Sequence, residues 1–451
     1  MKKLLLKNDI YDTEITSYTA EGAGVCRIDG IPVFVPFAAR GDRLTVRILK
    51  VHKTYAYGKI EKMISPSPVR SDPPCSVFGK CGGCDIMHLS YEEQLKFKYE
   101  KVESAIRRIG KSNAEILPVV PADAVFGYRN KTQTPLAKSD KIHCGFYAKG
   151  SHRVIPFGKC LIQKDFSGRL TEIITDFLNE FDISIYDEEK GCGLVRHIYI
   201  REGKTETMVL LVLNGNALPH CEALAERLKN AGASSFLINI NKKKTNVVMG
   251  HTTKTVFGNG YITDEMCGLK FEISPSSFYQ VNTPQAEKLY NLAAEYADIK
   301  STDTVFDLYC GAGTISLYAA KYAKKVYGIE IVESAVENAR KNALLNGIEN
   351  AEFFCGDAAE ITGKLLSDGI SADCVIVDPP RKGCDNALLN LLLEINPPKI
   401  SYVSCNPATL ARDINFLEDN GYKCVKVQPV DMFVNSSHVE TVCSFVQKNS
   451  R

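Results

Sequence analysis

Val305-Phe-Asp-Leu-Tyr-Cys-Gly-Ala-Gly-Thr314 reads as an apolar strand running into a glycine-rich turn and then a helix. Glycines such as Gly311 and Gly313 let the backbone turn tightly and approach a ligand closely. In a parallel sheet that ligand lies beyond the carboxyl ends of the strands. Outward from this stretch, the last third of the chain repeats one pattern. Apolar strands are predicted over 304–308, 325–329, 374–377 and 400–404, alternating with helical segments over 315–323, 333–346, 387–395 and 408–420. Such alternation implies a parallel sheet covered on both faces.

Nineteen residues after Gly311, Glu330 ends the second strand, where a carboxylate can accept from ribose hydroxyls. The dinucleotide signature G-x-G-x-x-G is not met, because Ser316 takes its last position. Together with Asp357 and Val377-Asp-Pro-Pro380 at later strand ends, the set resembles class I S-adenosylmethionine (SAM) methyltransferases, with their Rossmann-like fold. A glycine turn with incidental surface acids accounts for one of these motifs but not for the set.

Asp-Pro-Pro after an apolar strand is typical of methyltransferases acting on nucleobases. Those that methylate amino groups continue with an aromatic residue, whereas Asp378-Pro-Pro-Arg-Lys-Gly383 continues with Arg381. A different activation is therefore needed. Ser404-Cys-Asn-Pro-Ala-Thr-Leu-Ala-Arg-Asp413 follows a strand, so Cys405 is expected at its carboxyl end. A thiolate adding to C6 of uracil makes C5 nucleophilic enough to attack a methyl sulfonium. The helix starting after Pro407 is expected to favour that thiolate. The C5 proton must then leave, which calls for a base, and Glu440 in His438-Val-Glu-Thr-Val442 precedes a final strand.

The chain has 451 residues, 55 Lys and Arg against 53 Asp and Glu, 45% apolar and 24% charged. That is ordinary globular composition, with room for about three domains. It excludes disorder, collagen-like repeats and a supercharged tail. Apolar runs such as 208–213 are too short to span a bilayer. The opening Met1-Lys-Lys-Leu-Leu-Leu-Lys-Asn8 is not expected to act as a secretory signal. A cytoplasmic protein without a membrane partner, and monomeric, is expected.

Residues 1–62 read as strands over 14–18, 24–28, 31–35, 43–51 and 55–62, a small OB-like β-barrel. Residues 1–70 hold 12 Lys and Arg against 7 Asp and Glu, with Tyr55 and Tyr57 among the lysines. Such a face can hold nucleic acid by phosphate contact and stacking; a solvated basic surface fits equally well. Prolines over 66–74 mark a linker, a helix is predicted over 91–109 and expected to pack on the catalytic domain, and residues 63–270 form a central α+β region. Tyr128-Arg-Asn-Lys-Thr-Gln133 is either an RNA contact or a surface turn. His88, His143 and His152 have no partner spacing and read as structural.

Cysteine is abundant, 16 in all, and without an export signal a disulfide framework is not expected. Cys75, Cys81 and Cys84 stand close, but a second C-x-x-C pair for zinc is missing. Spacing alone points to a metal and leaves its identity open.

The motifs Asp378-Pro-Pro-Arg-Lys-Gly383, Ser404-Cys-Asn-Pro and His438-Val-Glu-Thr-Val442 identify the chain as similar to the RNA uracil-C5-methyltransferase family of TrmA and RlmD type. The likeness extends over essentially the whole chain. It implies Cys405 as nucleophile and Glu440 as base, with SAM held by Gln280, Tyr309, Gly311, Gly313, Glu330 and Asp378. Asp357 takes a position where some members carry Asn. The barrel resembles the family's TRAM domain, an RNA-binding module, and residues 271–451 the catalytic domain. The cysteine spacing resembles that of members with a [4Fe–4S] cluster, which makes Cys160 the fourth ligand, with Cys144 and Cys192 as substitutes. Zinc and unligated thiols are the alternatives. Barrel and cluster together look more like the 23S ribosomal RNA enzymes than the transfer RNA enzymes. A cytosine-C5 methyltransferase and a non-catalytic RNA-binding iron–sulfur protein are the rivals.

Overall fold

The computed structural model describes residues 5–448; residues 1–4 of the opening segment lie outside the described residues. At the N-terminus six strands form one sheet in the order Ile10–Glu14, Arg43–Val51, Ala56–Ser65, Ile31–Val35, Gly24–Ile28, Ser17–Tyr18. Its alternating side chains fill a core of Ile15, Val33, Val35, Leu44, Val46 and Ile48. The strand expected over 14–18 is broken in two. Ile15 turns inward, its amide donating to the Asp42 carbonyl (3.0 Å) and its carbonyl accepting from Gly41 (2.7 Å).

The central region holds a seven-stranded sheet ordered Val154–Pro156, Ile142–Tyr147, Lys131–Lys138, Val195–Glu202, Thr207–Leu213, Ser235–Ile240, Thr252–Phe257. Thr207–Leu213 is buried on both faces. Val209, Leu211 and Leu213 face helices Asp165–Glu180 and Cys221–Ala231, whereas Met208, Leu210 and Val212 pack into the core of the C-terminal region. The two-residue period of the strand thus joins two layers through one sheet.

Strands Ile262–Met266 and Leu269–Ile273 form a separate antiparallel pair, and the elements of the catalytic region are α1 (Tyr91–Arg108), β1 (Glu115–Ile116), α2 (Thr283–Ala297), β2 (Thr304–Leu308), α3 (Thr314–Ala320), β3 (Lys325–Glu330), α4 (Glu333–Leu345), β4 (Ala351–Cys355), α5 (Ala358–Ser367), β5 (Cys374–Val377), α6 (Asn386–Ile395), β6 (Lys399–Ser404), α7 (Pro407–Asp419), β7 (Tyr422–Val430) and β8 (Glu440–Gln447). Their eight strands lie in the order β4-β3-β2-β5-β6-β8-β7-β1. The first five are parallel, β8 runs antiparallel between β6 and β7, and β1 pairs with β7 across the edge. Strand order reverses between β2 and β5, the point where α/β sheets open a ligand crevice. Helix α1 starts at Ser90, whose hydroxyl accepts from the Glu93 amide (3.3 Å), and packs Val102, Ala105 and Ile106 against Leu410, Ala411 and Ile414 of α7. Among the described residues no helix is long and apolar enough to cross a membrane.

Candidate active site

The turn between β2 and α3 is built on left-handed backbone at Tyr309 (φ 70°), Gly311 (φ 55°) and Gly313 (φ 80°). A Cβ on Gly313 would meet Ala339 and Phe353 at 3.0 Å, so the position excludes side chains; above Gly311 there is open space. The Gly311 amide donates to Glu330 Oε2 (3.2 Å), and Glu330 Oε1 accepts from Val332 (2.9 Å). Beneath the turn, Asp307 is buried and accepts from Ser316 Oγ at 2.5 Å. Its second oxygen has no hydrogen-bond partner among the described residues. Burial, with Glu330 adding to it, pushes the Asp307 carboxyl up to about 7.

From Asp307 a row of acids runs along the carboxyl ends of the strands. Asp378, after β5, is pushed up to about 7 by burial and then by Asp307. Glu440, 5% exposed at the start of β8, is pushed up to about 8 by burial and then by Asp378, with Arg381 acting in the opposite direction. The β6–β8 ladder pairs Ser404 with Thr441, and Cys405 and Glu440 are the next residues outward on the two strands. Two residues far apart in sequence therefore leave the same end of one ladder.

Cys405 is half-buried, and its thiol is pushed up to about 11 by burial, then by Glu440 and Asp378, with Arg381 partly offsetting them. These influences act against the thiolate that the following helix is expected to favour. Helix α7 does begin at Pro407, capped by Asn406 Oδ1 on the Ala408 amide (3.1 Å). Its dipole, about 0.3–1 kcal/mol at an ordinary terminus, acts in the opposite direction to burial and the two neighbouring carboxyls. Asn406 Nδ2 also donates to the Arg381 carbonyl (3.1 Å), tying the 378–383 loop to the start of α7.

The other expected donor-site residues border the same cleft. The Tyr290 hydroxyl bonds Thr314 (3.3 Å) and Gln280 and is raised in part by Asp378, which places Gln280, Thr314 and Asp378 around one ring. Tyr309 feels both Asp357 and Glu330. Asp357 itself is exposed and spends one oxygen capping α5 through the Ala359 (2.9 Å) and Glu360 (3.2 Å) amides. An unpaired buried carboxylate oxygen, an open face over Gly311 and a row of acids suit a donor that carries a ribose and a cationic sulfonium.

Cys75, Cys81, Cys84 and Cys160 line a single cavity of about 420 Å³ that continues to Arg381, Phe433, Ser436 and His438. Cys144 and Cys192 do not line it. Among the described residues, however, no three His, Cys, Asp or Glu side chains stand together as ligands of one metal ion. The expected ligand set is thus gathered around one space but is not a closed cage. The Cys84 thiol is pushed up to about 12 by burial and by the other three cysteines. The Gly83 amide donates to Cys81 Sγ at 3.4 Å.

This fold and cleft define a SAM-dependent methyltransferase with an appended N-terminal barrel. Residues 207–448 match the tRNA (uracil-5-)-methyltransferase family, and residues 6–60 match the TRAM domain. The chain belongs to this family and is an RNA uracil-5-methyltransferase. It is 45% identical to an uncharacterized RNA methyltransferase of Clostridium tetani, over 97% of this chain and 96% of that one. A second such protein, from Halalkalibacterium halodurans, is 44% identical over 98% of each. Among solved structures, the Pyrococcus abyssi tRNA (uracil-54, C5)-methyltransferase in complex with S-adenosyl-L-homocysteine matches 97% of this chain and 100% of that one, with 30% identity and a TM-score of 0.77.

Sequence reasoning named Asp378 and Glu440 but not Asp307, the end of the row beneath the glycine turn. The signal that marks Asp307 is an acid inside the apolar strand 304–308. Tyr290 lies on α2, outside every motif, and nothing local marks it.

Proposed function

We propose that the protein methylates C5 of a uridine in RNA through a covalent Cys405 adduct resolved by Glu440. The observation carrying this reading is the shared end of the β6–β8 ladder, where Cys405 and Glu440 emerge together beside Asp378. The target base must leave its stack to reach that ladder end. The Cys405 thiol gives its proton to solvent as Sγ bonds C6, and the electron pair displaced onto C5 takes the methyl group, leaving the donor's sulfur as a neutral thioether. S-adenosylmethionine supplies that methyl as an electrophile on sulfur, between the Gly311 turn and Asp378. Glu440 then accepts the C5 proton and the S–C6 bond breaks, releasing a 5-methyluridine and the Cys405 thiolate, while the protons on the thiolate and on Glu440 re-equilibrate with solvent. A carboxylate pushed up to about 8 is a stronger base than an ordinary one and is matched to a working pH near neutral. Gln280, Tyr309, Gly311, Gly313, Glu330 and Asp357 are assigned to the donor with Asp378.

The barrel is assigned to RNA. Phe34, Tyr55 and His52 stack in a row, with centroids 5.4 and 4.6 Å apart, and Tyr57 stands edge-on to all three. Lys50 and Lys53 are exposed beside them. Aromatic faces flanked by free cations suit unpaired bases and their phosphates.

Cys75, Cys81, Cys84 and Cys160 are assigned to a [4Fe–4S] cluster. The assignment rests on four thiols lining one cavity, the usual number of ligands for such a cluster. Their mutual repulsion favours a cationic occupant that ionises them. Methyl transfer by displacement requires no electron, so the cluster's part is architectural.

Ribosomal RNA is the proposed substrate, on the joint presence of barrel and cysteine set. Transfer RNA is the second reading, favoured by the full-length likeness to the Pyrococcus enzyme. Mass-spectrometric mapping of 5-methyluridine in both RNAs from a deletion strain decides between them. Loss from 23S RNA supports the first, loss from transfer RNA supports the second, and loss from neither removes both.

A further inference from the structure

The segment that delivers Glu440, residues 431–439, is held largely by residues outside the methyltransferase sheet. Gln94, Lys98 and Lys101 lie on one face of α1, at spacings of four and three. Each reaches a different point of this segment. Gln94 and Asn435 exchange two bonds, Gln94 Nε2 to Asn435 Oδ1 (3.1 Å) and the Asn435 amide to Gln94 Oε1 (3.0 Å). Lys98 Nζ forms an ion pair with Asp431, both side chains fully buried, and donates to the Phe433 carbonyl (3.0 Å). Lys101 Nζ donates to the Ser437 carbonyl (2.7 Å). The loop after Cys84 adds to this grip, with the Asp85 and Ile86 amides donating to the Asn435 carbonyl (3.0 and 3.1 Å). Burying an ion pair wholly inside a protein adds little stability over an apolar pair of the same size. Its use is to fix a geometry. Asn435 takes left-handed backbone (φ 66°), a shape that α1 and the Asp85 loop hold from both sides.

We propose that Lys98 is a positioning residue for the general base: the Gln94–Lys98–Lys101 face of α1 sets the segment that aims Glu440 at the proton on C5. This rests on the assignment of Glu440 as base. Attack by Cys405 does not depend on the brace, because Cys405 hangs from β6. Loosening the brace therefore slows resolution of the adduct more than its formation.

The test compares Lys98→Met/Asp431→Leu, an apolar pair of similar volume, with wild type and Glu440→Gln. Three readouts are taken: thermal midpoint, donor affinity, and the fraction of enzyme covalently joined to ordinary RNA on a denaturing gel. The double variant is expected to keep its thermal midpoint and to bind the donor within about twofold. It should turn over at least tenfold more slowly while the covalent species builds up. Wild-type turnover with no build-up, or slow turnover without build-up, overturns the proposal. Lys101→Met, which loses only the bond to Ser437, gives a second measurement should the double variant not fold, and is expected to show a smaller build-up; none would count against the brace. Glu440→Gln separates the two layers. If it accumulates adduct and the brace variants do not, the brace alone is wrong; if it does not, the base assignment falls and takes the brace with it.

Discussion

After burial itself, the carboxylate of Glu440 is the strongest influence raising the Cys405 thiol, and Arg381 lowers both groups. Nucleophile and base are thus an electrostatically linked pair with a shared modulator. Neutralising Glu440 by Gln lowers the thiol's pKa and enlarges its thiolate fraction. Cys405 in Glu440→Gln is expected to react with iodoacetamide several-fold faster than wild type near pH 8. Arg381→Ala, which removes the offsetting cation, is expected to slow it. Equal rates in all three would break the link.

Cys405→Ala is expected to bind donor normally and to form no covalent complex with 5-fluorouridine RNA, whereas wild type is trapped. Glu440→Gln should lower turnover by about 10²–10⁴-fold, the usual contribution of a positioned base. Trapping of the alanine variant to the wild-type extent would remove the nucleophile.

Methylation should depend on pH through the base. Glu440 must be ionised to accept a proton, so the rate at which a preformed adduct resolves in a single turnover is expected to rise with pH and level off near about 8. Stability runs the other way. Asp307 and Asp378 at about 7 and Glu440 at about 8 are all raised on folding. Carboxyls raised in the folded state stabilise it fully below about pH 4, their unfolded range, and lose that contribution as pH climbs through the folded values. The thermal midpoint of the donor-free enzyme should fall between about pH 4 and 8, and less steeply in Asp307→Asn; an unchanged slope would contradict the burial of Asp307.

Gly313→Ala places a methyl group 3.0 Å from Ala339 and Phe353 on a left-handed backbone. A destabilisation of about 1–3 kcal/mol is expected, together with loss of donor binding, measured by chemical denaturation and calorimetry.

On the barrel, Tyr55→Ala and Tyr57→Ala should weaken single-stranded RNA binding by about 1–3 kcal/mol each while leaving the salt dependence unchanged, since stacking carries no phosphate charge. Lys50→Ala should instead reduce the salt slope. The reverse pattern would mean that the rings are only packed.

The catalytic sheet was legible because its strands are short apolar runs ending in glycine or acid, and local patterning marks such ends. Strands 304–308 and 374–377 fall where the pattern put them. The break at Ile15 escaped notice because an apolar residue in an alternating run gives no sign that it turns inward. The influences that raise the Cys405 thiol are hidden for a similar reason. A following helix is visible in sequence, but the carboxylates brought beside the thiol by the sheet are not. The grip of α1 on the 431–439 segment joins residues more than 330 positions apart, as Lys98 and Asp431 illustrate, and no local signal announces it.

The strand at the far edge of the catalytic sheet, β1, comes from residues 115–116, and the outer surface of α7 is covered by a helix that begins at Tyr91. Chemistry and scaffold are consequently sewn into each other: a truncation beginning at residue 271 would leave a bare hydrogen-bonding edge on β7 and an unclothed apolar flank on α7. Such a fragment should clump rather than catalyse, so this enzyme has to be inherited, and engineered, as one piece.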